Sequence, residues 1–137
     1  MAYTTNVSLV SSRTDTAAVT NTNGTAIDCD LYRKGTFILD VTAVTGVVTL
    51  DLAIQTYING FWSDIARFNQ MTSVATRILW DVGGTINTST TIEEATQALA
   101  ITVGTKRAGP WGTQIRARYT ITIGTSITWS CVGILQS

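Results

Sequence analysis

Residues 113–123 read Thr-Gln-Ile-Arg-Ala-Arg-Tyr-Thr-Ile-Thr-Ile, and this stretch decides the fold class. Its odd positions carry Thr113, Ile115, Ala117, Tyr119, Ile121 and Ile123. Its even positions carry Gln114, Arg116, Arg118, Thr120 and Thr122. Successive side chains of a strand point to opposite faces, so the segment reads as a strand with one apolar face and one wet face. Downstream, Gly124-Thr125-Ser126 marks a turn, and Ile127, Trp129 and Cys131 repeat the alternation, which predicts a closing hairpin.

The same period recurs upstream. Phe37, Leu39 and Val41 form an inward set against Thr36, Ile38, Asp40 and Thr42, followed by a turn at Thr45-Gly46. Val48, Leu50, Leu52 and Ile54 oppose Thr49, Asp51, Ala53 and Gln55. Asn59-Gly60 favours the positive φ angles of a tight hairpin and predicts one leading into residues 62–68. Val74, Thr76, Ile78, Trp80 and Val82 make a further strand ended by Gly83-Gly84; Ile27, Cys29 and Leu31 make a short one, and Leu99, Ile101 and Val103 another. Residues 1–12 alternate weakly through Val7 and Leu9 and read as an arm or an edge strand, leaving residues 13–137 as a single domain. Thr90-Thr91-Ile92-Glu93-Glu94 resembles a helix capping box, with a plain loop as its equal. Residues 104–112 form the clearest long loop and hold the only proline, Pro110. Eight to ten short strands between Gly turns predict an all-β, antiparallel two-sheet sandwich, jelly-roll-like, with an up-and-down barrel as the alternative.

Composition narrows the function classes. The chain has 137 residues, nine basic and nine acidic, no histidine, and 13 % charged residues, about half the usual share. Zero net charge argues against nucleic acid as a partner, because phosphate binding needs a basic excess. No stretch approaches the roughly 18 apolar residues of a membrane span, so no membrane partner is expected. The first residues carry neither a basic start nor an apolar run, so folding in a cytoplasm is expected. Threonine occurs 26 times and occupies outward strand positions that lysine or glutamate usually fill. Strands with so little charge invite edge pairing unless they are covered, so much of this surface is expected to be touched by other protein.

Five stretches, taken together, carry a resemblance. They are Gly24-Thr25-Ala26-Ile27-Asp28, Phe37-Ile38-Leu39-Asp40-Val41-Thr42-Ala43-Val44-Thr45-Gly46, Thr49-Leu50-Asp51-Leu52-Ala53-Ile54-Gln55, Gly60-Phe61-Trp62-Ser63-Asp64-Ile65-Ala66-Arg67-Phe68, and Ile115-Arg116-Ala117-Arg118-Tyr119-Thr120-Ile121. In this order, over roughly residues 24–135, the chain resembles small β-sandwich virion structural proteins of tailed bacteriophages and prophages. The resemblance implies a capsid-associated or head–tail component, and no enzyme. Residues 85–97 and 104–112 look longer than the usual connections of such proteins and carry over no contact residues. The expectation is a decoration or cement protein on the capsid exterior, made in the host bacterial cytoplasm. It would self-associate as a homotrimer and bind the major capsid protein. A head–tail connector or tail/fibre-attachment module is the alternative, and a carbohydrate-binding module using Trp111 or Trp62 is a third reading.

Individual residues weigh as follows. Trp80 and Trp129 lie on the apolar sides of their strands, so core packing accounts for both. Trp62, after the Asn-Gly turn, reads as core or hairpin packing. Trp111, between Pro110 and Gly112, is the best exposed contact, with loop anchoring as its equal. Lys106 and Arg107 in the loop and Arg116 and Arg118 on the strand are candidates for one small basic protein-contact patch, against ordinary solubilising charge. Asp28 and Asp30 flank Cys29 but lack the further oxygens a calcium site needs. Cys29 and Cys131 point inward and read as buried free thiols. A catalytic cysteine or serine would lack its usual histidine base, so no catalytic group, cofactor or metal site is expected.

Overall fold

In the computed structural model, residues 3–83, 101–106, 111–122 and 124–137 are described. The elements are β1 (Thr4–Asp15), β2 (Val19–Asn23), β3 (Ile27–Asp28), β4 (Lys34–Thr45), β5 (Thr49–Ile58), β6 (Phe61–Arg67), β7 (Ala75–Val82), β8 (Gln114–Thr122) and β9 (Ser126–Gln136). The described residues contain no helix. One sheet runs β1-β9-β4-β7, called sheet A here. The other runs β2-β8-β5-β6, called sheet B, with β3 also on β8. Every pairing is antiparallel. Interleaving the two chain ends in this way is the jelly-roll order of a two-sheet sandwich. The arm-or-edge segment at the start of the chain is an edge strand, lying outermost in sheet A against β9.

The interior is built by the alternation. Leu9, Phe37, Leu39, Val41, Trp129 and Cys131 come from sheet A; Leu50, Leu52, Ile54, Ile115, Tyr119 and Ile121 come from sheet B; all are buried. Trp129 and Tyr119 meet edge to face with ring centroids 4.7 Å apart, a geometry that adds about 0.5–1.5 kcal/mol to simple burial. Each also needs a polar partner. Trp129 Nε1 donates to the buried Asp15 Oδ2 at 2.8 Å, and Arg13 donates both to Tyr119 Oη (2.8 Å) and to Asp15 Oδ1 (2.7 Å). The end of β1 therefore ties down the polar tips of the two largest core residues.

Two turns show why particular residues are needed. Ile58 pairs with Phe61 across Asn59 and Gly60, whose φ angles of 47° and 88° are those of the expected two-residue hairpin. At Gly112 the chain passes so close to β5 that a Cβ would run into the Tyr57 carbonyl, while its N–H donates to Thr56 Oγ1 at 2.8 Å.

The closing hairpin expected around Gly124 is not formed. β8 lies in sheet B and β9 in sheet A, so the turn carries the chain across the sandwich. Thr45-Gly46 does the same between β4 and β5. Alternation sets which face a residue takes, and leaves open which strand it pairs with. Leu31, expected inward, is 74 % exposed beyond the end of β3.

Candidate contact surfaces

The outer face of sheet A carries an apolar row. Cross-strand register aligns Ser8, Val132, Ile38 and Ile78 over four strands. Ile134 lies beside Thr36 in the next row, and Trp80 follows Ile78 on the same face. Val132 and Ile78 are about two-fifths exposed, and Trp80 is 66 % exposed. Between β1, β9 and β4 the row dips into a groove of about 420 Å³, lined by Val7, Ile38, Val132 and Ile134 with Asn6 and Ser8. Around it the face is mostly hydroxyl with one carboxylate beside it: Thr14 and Thr128 hydroxyls are 2.8 Å apart, and Thr76 donates to Asp40 at 2.8 Å.

Trp80 corrects the expectation of a core residue. β4 and β7 slip register between Gly35 and Phe37, where three steps of β7 oppose two of β4, and Asp81 takes φ 55°. This bulge inverts the facing, so Val82 is buried while Val74, Ile78 and Trp80 point out. The free side of β7 is partly closed. Lys106 Nζ donates to the Trp80 and Asp81 carbonyls at 2.6 and 3.3 Å, a lysine guarding an edge.

The outer face of sheet B is different. Segment 101–106 is a turn, not the strand expected through Ile101 and Val103, and it meets the end of the edge strand β6: Arg67 N–H donates to Thr105 O, Gly104 N–H to Arg67 O, and Ala66 bridges Lys106. Ile101 is buried, and its N–H donates to Asp64 Oδ2. Beneath it a polar row crosses three strands: Arg116 Nε donates to Gln55 Oε1 (3.0 Å), and Gln55 Nε2 to Asp64 Oδ1 (2.8 Å). The Arg116 guanidinium carbon lies 4.0 Å from the centre of the Trp62 ring, which is tilted against Tyr57 with ring centroids 5.2 Å apart.

Of the expected basic patch, Arg116 and Arg118 share the outer face of β8, Lys106 lies at the β7 edge, and Arg107 is outside the described residues. Arg116, expected on the wet face, is 8 % exposed, hydrogen-bonded to Gln55 and stacked on Trp62. Arg118 is half-buried and donates to Asn23 at the β2 side. Pro110, Glu93, Glu94 and Leu99 also lie outside the described residues. Trp111 anchors its loop: it packs 6.0 Å from Phe37, half-buried against the core, with Gly83 and Gly35 beneath it.

Cys29 and Cys131 are buried and free, as expected. Cys131 pairs with Val10 and Leu39 in sheet A, whereas Cys29 Sγ donates to Gly112 O on the β3–β8 side. Burial, with Asp30 and Asp28 adding repulsion, pushes the Cys29 thiol up to about 11; burial alone pushes Cys131 up to about 12. Such thiols are poor nucleophiles. Asp28 accepts from Gln114 at 3.0 Å. Among the described residues no group of three His, Cys, Asp or Glu side chains is placed to hold a metal ion.

Searches with the chain found no matching family model, no matching curated protein and no matching solved structure.

Proposed function

We propose that this chain is a non-catalytic virion structural protein that docks through the outer face of sheet A, in the manner of a capsid decoration protein on the major capsid lattice of a tailed phage. The observation that carries the reading is the apolar row Val132–Ile38–Ile78 with Trp80 at its end, set in a face of threonine and serine with little charge. Contiguous exposed apolar surface marks a contact site, and tryptophan is the residue most often found at the energetic centre of one. Full burial of one such side chain contributes about 1.5–3 kcal/mol, so a single copy binds modestly and linked copies bind strongly. Self-association as a trimer supplies that linkage. Jelly rolls serve viral capsids and lectins alike, which is support by analogy only.

Sedimentation with expanded, undecorated capsids built from the major capsid protein of the same genome, together with light scattering of the free chain, tests the proposal. The expected result is an oligomer that co-sediments and loses binding on Trp80→Ser. A monomer that ignores capsids overturns it. A head–tail or fibre-attachment position uses the same face, and is distinguished by where labelled copies sit on the virion. For carbohydrate, the two tryptophans first considered are already engaged, Trp111 by Phe37 and Trp62 by Arg116 and Tyr57.

A further inference from the structure

The outer face of sheet B holds more positive charge than its neighbours satisfy. Arg116, 8 % exposed, spends Nε on Gln55 and stacks on Trp62, and its Nη2 is buried with no partner. Arg118, two residues on and on the same face of β8, donates from Nη1 to Asn23 at 3.4 Å, and its Nε is also buried and unpartnered. Among the described residues, the carboxylates on this face have other partners. Asp64 accepts from Gln55 and the Ile101 N–H; Asp51 accepts from Arg67 and from Gln70. Among the described residues no ion pair involves Arg116 or Arg118. Burial, and then the charge of Arg118, pushes the Arg116 guanidinium below its ordinary value.

A guanidinium withdrawn from water without a counter-charge is costly, and two side by side more so. An acceptor carrying negative charge relieves both. We propose that the outer face of sheet B is a binding site for a small oxyanion, bridged by Arg116 Nη2 and Arg118 Nε beside Trp62. The guanidinium fork matches the spacing of carboxylate and phosphate oxygens, so the ligand class is a phosphate or a carboxylate. Ala53, fully buried between Arg118 on β8 and Arg67 on β6, leaves the Arg118 stem an apolar neighbour. The site stands apart from the docking face on sheet A, and neither depends on the other.

The test uses the full chain labelled with 15N, following the Arg116 and Arg118 side-chain Nε–H signals. Inorganic phosphate and acetate are titrated separately against sodium chloride at constant ionic strength. Saturable shifts of both signals with phosphate, with acetate inert, identify a tetrahedral anion. Saturation with acetate as well identifies a general oxyanion site that an acidic side chain can also enter. In either case Arg118→Gln, a change at a half-buried position that leaves the Gln55–Asp64 row intact, weakens binding about tenfold or more. Shifts that follow ionic strength alone, or that are the same in Arg118→Gln, overturn the proposal.

Discussion

Trp80 and Trp129 are the same residue type on two alternating strands, and they have opposite roles. Trp129 is fully buried, with its N–H satisfied by Asp15; Trp80 stands in solvent with its backbone carbonyl held by Lys106. Substitutions separate the roles. Trp80→Ser leaves the unfolding free energy from urea melts within about 0.5 kcal/mol of the parent, because an exposed side chain takes little packing with it. Trp129→Ala costs about 3–5 kcal/mol, from lost volume and from an Asp15 carboxylate left short of a donor. The thiols give a second check at this scale. Cys29 and Cys131 have folded values near 11 and 12 against an ordinary 9.0. The unfolded chain therefore releases these protons first, above pH 9. Their stabilising contribution is complete below pH 9 and is lost as pH rises towards 11 and 12. The expected slope is about 1.4 kcal/mol per pH unit for each thiol inside its window. It is read from urea melts across that range and flattened in a Cys29→Ala/Cys131→Ala double variant. A stability curve identical in the double variant refutes the assignment.

At the scale of elements, two glycines separate conformational strain from collision. Gly60 has φ 88° and nothing within 4 Å of a built Cβ, so Gly60→Ala costs about 1–2 kcal/mol through the left-handed backbone alone. Gly112 is held against the Tyr57 carbonyl, so Gly112→Ala must move β5 or the loop. The expected loss is larger, about 3 kcal/mol. Denaturant midpoints of the two variants rank the effects, and equal losses contradict the close approach. Strands and the Asn59–Gly60 turn were legible because both signals are local: a period of two, and a dipeptide that accepts positive φ. Pairing was not, since Ile115 to Ile121 look alike to either sheet, and only the tertiary path puts β8 beside β5 and β9 beside β4. Trp80 was misplaced by one extra residue, because a bulge reverses every facing beyond it and leaves the composition unchanged. The sign of Arg116 was legible and its burial was not, because its neighbours Gln55 and Trp62 come from β5 and β6, far from β8 in the sequence. Ile38, read as apolar on an outward face, was the one local sign of the row on sheet A.

The whole molecule closes its chain ends on each other. β1 and β9 pair along most of their length, from Thr4 opposite Gln136 to Asp15 opposite Ile127. Long-range pairings of this kind fold slowly, in milliseconds to seconds or longer. Removing residues 1–15 exposes the β9 edge and strips Trp129 of Asp15, and the expected product is insoluble or unfolds without a cooperative transition. A soluble truncated chain with a sharp melt contradicts the role of β1.

The two outer faces also predict different responses to salt. The sheet A face is apolar and hydroxylated, and the chain carries no net charge. Docking by that face depends on burial, so it has little to lose when ions screen charge. The sheet B face presents two arginines with unmet donors, and attraction to an anion there weakens as salt rises. Raising salt from about 0.1 M to about 1 M shortens the screening length from about 10 Å to about 3 Å. Co-sedimentation with capsids is therefore expected to persist across that range, while phosphate or acetate binding falls. Capsid binding that collapses with salt and survives Trp80→Ser places the contact on the arginine face instead, and removes the apolar row from the mechanism.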